Sequence, residues 1–194
     1  MNNYEQTQSI IIAITGASGA IYGIRALEIL RDLGIETHLV VSRSAVTTIN
    51  HETGKTLADL HRLASYHYQP DEIGATIASG SFPTRGMIVV PCSIKTLSSI
   101  ANSYSDNLIA RAADVTLKEG KPLILAVRET PLHRGHLQLM DLAAQSGAVI
   151  FPPVPALYGE NLTLDDIITG TVGRMLLRMG ISNPKFIHWN GLNK

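Results

Sequence analysis

Apolar and polar positions along this chain follow two periods, and the change from one to the other predicts strands and helices in alternation. Residues 9–14 form an uninterrupted apolar run rich in isoleucine, which predicts a buried strand. From residue 20 to residue 33 the apolar positions recur at helical spacing on one face, namely Ile21, Ile24, Leu27, Leu30 and Leu33. A strand, a tight turn and an amphipathic helix are therefore predicted in succession.

The same alternation continues along the chain. Further strands are predicted over residues 36–41, 87–90, 123–127 and 148–151, and further helices over residues 44–52, 94–101, 108–119 and 133–146. A last helix follows Thr163, which forms a capping-box pattern with Asp166. Residues 55–83 have too few apolar positions to assign. We predict one α/β domain over residues 1–194 with a helix-covered parallel sheet, an N-terminal extension over residues 1–8 and a C-terminal tail over residues 181–194.

Composition restricts the possible partners and compartment. The 194 residues carry 16 basic and 16 acidic side chains, so no global charge favours nucleic acid or an anionic membrane. Cys92 is the single cysteine, which excludes an intrachain disulfide and a CxxC motif and suits a reducing cytosol. The first residues lack a basic segment, and the apolar run after them is far shorter than the roughly 20 residues of a membrane span. We expect a cytoplasmic protein without a membrane span.

A glycine-rich turn, residues 15–20 (TGASGA), lies between the first predicted strand and helix. Unpaired amides and the positive end of the helix dipole attract anions at such a position. Glycines stand at positions 16, 19 and 23, whereas a dinucleotide fingerprint starting at Gly16 needs them where Ser18 and Ile21 stand. The spacing disfavours NAD and leaves open a mononucleotide, a cofactor with one phosphate, or a turn that binds nothing.

Polar side chains follow several predicted strands at the edge where parallel α/β sheets bind ligands. Ser18, Ser42 and the segment 93–96 follow three strands, and Arg128 and Glu129 follow a fourth. Each has an ordinary alternative, since serines cap helices and adjacent charges form solvated pairs. Their placement on one edge favours a binding site.

Cations elsewhere suggest that this site takes an anion. Arg111 and Lys118 are seven residues apart on one helix face, with Asp114 between them as a possible partner for either. Arg174 lies beside the apolar face of the last helix. These cations either form surface ion pairs or bind a phosphorylated substrate.

Several motifs, in order, carry a family resemblance: residues 16–23 (GASGAIYG), 91–97 (PCSIKTL), 111–119 (RAADVTLKE), 127–133 (VRETPLH) and 147–153 (GAVIFPP). Together they make the chain similar to the UbiX flavin prenyltransferases from about residue 10 to residue 189. The resemblance implies a three-layer, flavodoxin-like or Rossmann-like fold in a homo-oligomer, often a dodecamer. It also implies transfer of a dimethylallyl group from dimethylallyl phosphate to N5 and C6 of reduced FMN. The product, prenylated FMN, serves UbiD-type decarboxylases, including the one of ubiquinone biosynthesis.

The resemblance assigns roles by matching position. The implied FMN contacts are Gly16, Ala17, Ser18, Ser42, Ser93, Ile94, Lys95, Thr96 and Arg128, with Trp189 near the flavin. The implied dimethylallyl phosphate contacts are Tyr158 and Arg174, across a subunit boundary, with Arg111 and Lys118 adding positive charge. Glu129 is expected to handle the phosphate proton, and Glu52 with Ser18 to relay protons near N5. The chain departs from the family pattern at residues 159–161 (GEN) and at Gly54, which affects the expected substrate lid.

No metal is expected in this reaction. Diphosphate-dependent prenyltransferases use aspartate-rich motifs, whereas the adjacent pair Asp165 and Asp166 stands in a predicted helix cap. His133 and His136 lack an apparent third ligand, and Cys92 is interpreted as a buried thiol.

Two other functions remain open at this stage. One is an FMN-dependent cysteine decarboxylase-like enzyme, although the segment at Pro91 lacks the Met-Asn pair of that family's recognition motif. The other is a non-enzymatic carrier that stores FMN and passes it to a decarboxylase. The mass of the flavin after incubation with dimethylallyl phosphate distinguishes these functions from prenyl transfer.

Overall fold

The computed structural model describes residues 9–157 and 162–184. Six parallel strands form one sheet in the order β3-β2-β1-β4-β5-β6. The strands are β1 Ile10–Ile14, β2 Thr37–Val41, β3 Tyr66–Tyr68, β4 Met87–Cys92, β5 Leu123–Val127 and β6 Val149–Ile150. Each of the five predicted strands is present, and the predicted parallel sheet is confirmed.

Within the described residues, seven helices cover the two faces of the sheet. They are α1 Ala20–Asp32, α2 Arg43–Thr53, α3 Leu57–Leu63, α4 Ile94–Ala101, α5 Leu108–Lys118, α6 Arg134–Gln145 and α7 Leu164–Arg178. Alternate residues of β1 separate the core into two layers, because successive strand side chains point to opposite faces. Ile12 packs with α1 and α7, whereas Ile11 packs with α4, α5 and α6. The three-layer α/β prediction is therefore confirmed.

The strand order changes direction between β1 and β4, which is where open parallel sheets bind ligands. Thr15, which follows β1 and is buried, joins the two strand ends. Its hydroxyl donates to the carbonyl of Pro91 at 2.8 Å and accepts from the amide of Ser93 at 2.8 Å. The start of α4 is thereby held beside the glycine-rich turn.

The stretch without a sequence assignment contains α3, β3 and a short 3₁₀ helix, Thr76–Ala78. The apolar pattern is weak here because Leu60 is the one buried residue of α3 and β3 is the exposed edge strand. The aromatic residues of β3 cover His38, which stacks on Tyr66 and whose Nδ1 lies 2.9 Å from the hydroxyl of Tyr68. Burial lowers the pKa of His38 despite the nearby carboxylate of Glu36.

The two ends of the predicted domain fall largely outside the described residues, which include neither residues 1–8 nor residues 185–194. The beginning of the predicted C-terminal tail packs against the fold, since Ile181 is 4% exposed and belongs to the core layer of α1 and α7. No helix within the described parts of the chain is long and apolar enough to cross a bilayer.

Candidate functional site

Glycines in the turn and at the start of α1 lie very close to neighbouring elements. A Cβ atom on Gly16 would lie 2.3 Å from Oγ of Ser44, and one on Gly23 would lie 2.5 Å from the carbonyl oxygen of Val90. Gly19 precedes α1 with φ +98°, a left-handed conformation that glycine adopts without steric cost. Glycine is therefore required here by close approach and by backbone conformation.

The amides at the start of α1 bind a carboxylate of the chain itself. Oε2 of Glu52, from the last turn of α2, accepts hydrogen bonds from the amides of Gly19 at 2.9 Å and Ala20 at 3.0 Å. Of the alternatives left open for this turn, a ligand phosphate or no ligand, neither anticipates that a carboxylate of the chain itself accepts from two of the amides at the helix N-terminus. Sequence analysis missed this arrangement because 32 residues separate Glu52 from Ala20.

Two other predicted site residues, Ser18 and Arg128, interact with Glu52. Burial alone raises its pKa, but hydrogen bonds from the hydroxyl of Ser18 and from the two amides, together with the charge of Arg128, lower it below the ordinary value of 4.5. Glu52 is consequently ionised at neutral pH. Arg128 also opposes the effect of burial, which raises the pKa of Tyr22. Ser18, Glu52 and Arg128 form what we call the Glu52 cluster.

A polar cavity of about 400 Å³ lies beside this turn, within the usual size range of ligand pockets. Three helices begin at its wall, each capped by a side chain there: Ser42 for α2, Ser93 for α4 and Asn107 for α5. Four of the predicted FMN residues line it, namely Ser42, Ser93, Lys95 and Thr96. Ser44 also lines it and connects it to Gly16. Helix N-termini, hydroxyls and a lysine are groups that bind phosphate.

Other cavity residues were missed by sequence analysis. Arg43 and Asp71 form an ion pair at 3.4 Å, and the amide nitrogen of Asn107 donates to Asp106 at 2.6 Å. Asn107 was detectable, since asparagine is a preferred N-cap and stands directly before a predicted helix. Asp71 was not, because it belongs to the unassigned stretch.

The remaining predicted residues are distributed over other elements. Ala17 lies in the glycine-rich turn, and Ile94 begins α4 and packs against the core. Glu129 is exposed after β5, where its carboxylate accepts from the amide of Thr130 at 3.0 Å. Tyr158 and Trp189 lie outside the described residues.

Each predicted substrate cation has a partner outside the Glu52 cluster. Arg111 pairs with Asp114 at 3.7 Å, whereas Lys118 pairs with Glu119 at 3.3 Å. The exposed guanidinium of Arg174 lies 5.9 Å from the ring centroid of Phe151. These cations lie on α5 and α7, and none of the three contacts involves Ser18, Glu52 or Arg128.

The burial predicted for Cys92 and the helix cap predicted at Asp166 are confirmed. Cys92 is fully buried, and burial raises the pKa of its thiol to about 12, which makes it a poor nucleophile. Asp166 caps α7 through Thr163, and Asp165 pairs with Arg25. Across residues 9–157 and 162–184, no group of three or more His, Cys, Asp or Glu side chains is arranged to hold a metal ion.

The family model for Flavoprotein matches residues 1–175. Together with the parallel sheet and the cavity at the starts of three helices, this match defines the class as a flavodoxin-like α/β flavoprotein. Flavin prenyltransferase UbiX of Salmonella typhimurium is 55% identical over 185 residues, which cover 94% of this chain and 98% of the relative. The Escherichia coli K12 protein of the same name is 54% identical with the same coverage. The chain belongs to the UbiX flavin prenyltransferase family.

Solved structures agree with this membership. The crystal structure of AnUbiX in complex with FMN and dimethylallyl pyrophosphate superposes with a TM-score of 0.93 at 46% identity, covering 95% of this chain and 98% of that one. A dodecameric FMN-dependent UbiX-like decarboxylase from Escherichia coli O157:H7 gives 0.90 at 45% identity, with 95% and 100% covered. The peptidyl-cysteine decarboxylase EpiD, at 19% identity and a TM-score of 0.56, shares the fold alone; 76% of this chain and 82% of that one are covered.

Proposed function

We propose that this protein transfers a dimethylallyl group from dimethylallyl phosphate to N5 and C6 of reduced FMN, which yields prenylated FMN. The observation that carries the proposal is the Glu52 cluster beside a polar cavity at the start of three helices. An ionised carboxylate, a hydroxyl and a guanidinium supply proton transfer and charge, while the cavity supplies a phosphate site. Family membership supports this reaction over cysteine decarboxylation.

The cavity fits the phosphate end of FMN. Hydroxyls of Ser42, Ser93 and Thr96, the ammonium of Lys95 and the N-terminal amides of α2 and α4 would hold that phosphate. The remaining proposed flavin contacts are Gly16, Ala17, Ser18, Ile94, Arg128 and Trp189. Bound and reduced FMN supplies the nucleophilic nitrogen and carbon of the reaction and an aromatic face beside the allyl group.

The side chains around the flavin have complementary tasks. When the ester C–O bond breaks, its electron pair leaves with the phosphate, so cations and a proton donor must neutralise that group. We assign the cations to Arg111, Lys118 and Arg174, with the hydroxyl of Tyr158 as a further contact. Glu129 donates the proton to the leaving phosphate. Glu52 is ionised, so it accepts a proton through Ser18 rather than donating one.

The substrate site is completed between copies of the chain. Arg111 and Lys118 are on α5 and Arg174 is on α7, and within one chain each contacts a side chain outside the Glu52 cluster. Apolar side chains exposed on α6 and after β6, including Leu137 at 53% and Val154 at 71%, suit burial against another copy. We therefore propose a homo-oligomer, a dodecamer like the Escherichia coli O157:H7 relative. It acts in the cytoplasm and supplies a UbiD-type decarboxylase.

The mass of the flavin tests the reaction. The purified protein is incubated anaerobically with reduced FMN and dimethylallyl phosphate, and the flavin is expected to gain one C5H8 unit. Glu129→Gln should retain FMN and slow the transfer by about a hundredfold, as loss of a general acid does. Glu36→Gln is the matched control, because this exposed glutamate precedes β2, at the edge of the sheet opposite the strand ends that carry the site. Bound flavin of unchanged mass would support the FMN carrier, and carbon dioxide released from a cysteine-terminated peptide would support the decarboxylase.

A further inference from the structure

The exposed loop between β5 and α6 carries two residues of the proposed chemistry. Residues 128–134 are all exposed, and Arg128 and Glu129 stand at the start of this stretch. The first end of the loop is attached to the sheet, since the amide of Arg128 donates to the carbonyl of Cys92 at 3.1 Å. A catalytic carboxylate needs a fixed position, so the second end of the loop also requires an anchor.

His133 provides that second anchor by capping α6. Its backbone is extended, with φ −107° and ψ 169°, and its Nδ1 accepts a hydrogen bond from the amide of Gly135 at 3.0 Å. This acceptor role requires that Nδ1 carry no proton, which places the imidazole proton of the neutral ring on Nε2. The ring also lies on that of His136, with 3.6 Å between the centroids.

Gly135 leaves the space that the ring of His133 needs. A Cβ atom at position 135 would lie 2.9 Å from Cε1 and 3.1 Å from Nδ1 of that ring. Because the ring is the far end of a side chain, an added methyl group would displace it from the amide rather than break the helix backbone. The cap formed by the imidazole of His133 therefore depends on the absence of a side chain at Gly135.

We infer that His133 is a positioning residue for the proposed reaction: its imidazole caps α6 and thereby fixes the loop that presents Glu129. The inference rests on the proposed function for the role of Glu129. In this role His133 acts through the cap and makes no contact with the substrate. Any side chain that caps α6 equally well should replace it, because the cap and not imidazole chemistry is what the loop requires.

Four single variants test this inference. His133→Ala removes the cap, His133→Asn replaces it with a preferred capping residue, and Gly135→Ala displaces the ring while keeping the imidazole. His67→Ala removes an exposed histidine that stacks on His61 away from the loop and is the matched control. Hydrogen-exchange mass spectrometry over residues 128–136 and steady-state kinetics of flavin prenylation are measured on each intact protein.

His133→Ala and Gly135→Ala should both accelerate exchange in this segment by about fivefold and lower kcat by roughly tenfold, with the Kd for FMN unchanged within twofold. His133→Asn should restore both quantities to within about twofold of the parent protein. The His67→Ala control should match the parent in both.

Two results would overturn the inference. One is a His133→Ala protein with unchanged exchange and kcat. The other is a His133→Asn protein that restores exchange but stays as slow as His133→Ala, because the imidazole itself would then take part. If the parent protein does not prenylate flavin, the proposed function fails, while exchange across residues 128–130 still decides whether the cap fixes the loop.

Discussion

Replacing Glu52 by glutamine tests whether an internal carboxylate neutralises the start of α1. The carboxylate accepts the amides of Gly19 and Ala20 at 2.9 and 3.0 Å. A hydrogen bond to a charged group contributes about 1.5–3 kcal/mol, but Glu52 is exposed, so solvent screening reduces its contribution. Glutamine keeps one oxygen acceptor and loses the charge. We therefore expect Glu52→Gln to lower the free energy of unfolding by about 1–2 kcal/mol and Tm by about 4 °C.

The pH dependence gives this prediction a sign. The pKa of Glu52 is lower in the folded protein than its ordinary value of 4.5, so the folded state favours the ionised form. The stabilisation is complete above pH 4.5 and is lost as the pH falls through the lower pKa of the folded state. The difference between parent and variant should therefore be full at pH 7 and shrink below pH 4.5.

Thermal and denaturant unfolding of flavin-free protein, at one protein concentration across pH 3.5–7.5, measure this difference. Glu28→Gln is the control on α1, because its ion pair with Arg25 at i, i+3 contributes about 0.5 kcal/mol or less. A Glu52→Gln protein as stable as the parent at pH 7 would refute the reasoning. A difference that stays constant down to pH 3.5 would also refute it, since it would not depend on ionisation.

Two further predictions concern packing and reactivity. Gly23→Ala should destabilise the fold by about 3 kcal/mol in denaturant unfolding, because the new methyl group would lie 2.5 Å from the Val90 carbonyl oxygen. Gly170→Ala is the control within α7: a Cβ there meets nothing within 4 Å, so the variant should be as stable as the parent or up to about 1 kcal/mol more stable. A Gly23→Ala protein with parent stability would show that α1 can move away from β4. Cys92 should resist a thiol-specific disulfide reagent at pH 8 in the native protein and react fully after denaturation, because burial raises its pKa to about 12. Rapid labelling of native protein would contradict that burial.

Elements with strong local patterns were predictable. Strand β1 is buried on both faces and therefore leaves a continuous apolar run in the sequence. Helix α1 buries one face and therefore leaves apolar residues at helical spacing, so the two element types could be told apart. Asp166 with Thr163 marked the start of α7 through a capping interaction three residues long. The edge strand β3 and helix α3 were not predictable, because each buries too little surface to leave such a pattern.

The candidate site was likewise predictable only in part from the sequence. Motifs such as residues 16–23 and 127–133 indicated the family, and the resemblance then assigned roles to Ser18, Glu52 and Arg128. The order of strands brought the starts of α2, α4 and α5 to one cavity and added Asp71 and Asp106 to its wall. Sequence spacing does not encode which strand lies beside which, so it could not assemble that wall.

What the sequence alone determined was the kind of elements, their caps and the chemical groups present, because these depend on neighbours within a few residues. The tertiary structure alone decided which groups meet. Glu52 lies 33 residues from Gly19, yet its carboxylate accepts from an amide for which local reasoning left open only a ligand phosphate or no ligand. Such a pairing depends on how α2 packs against α1, which is set by the whole sheet and both of its helix layers.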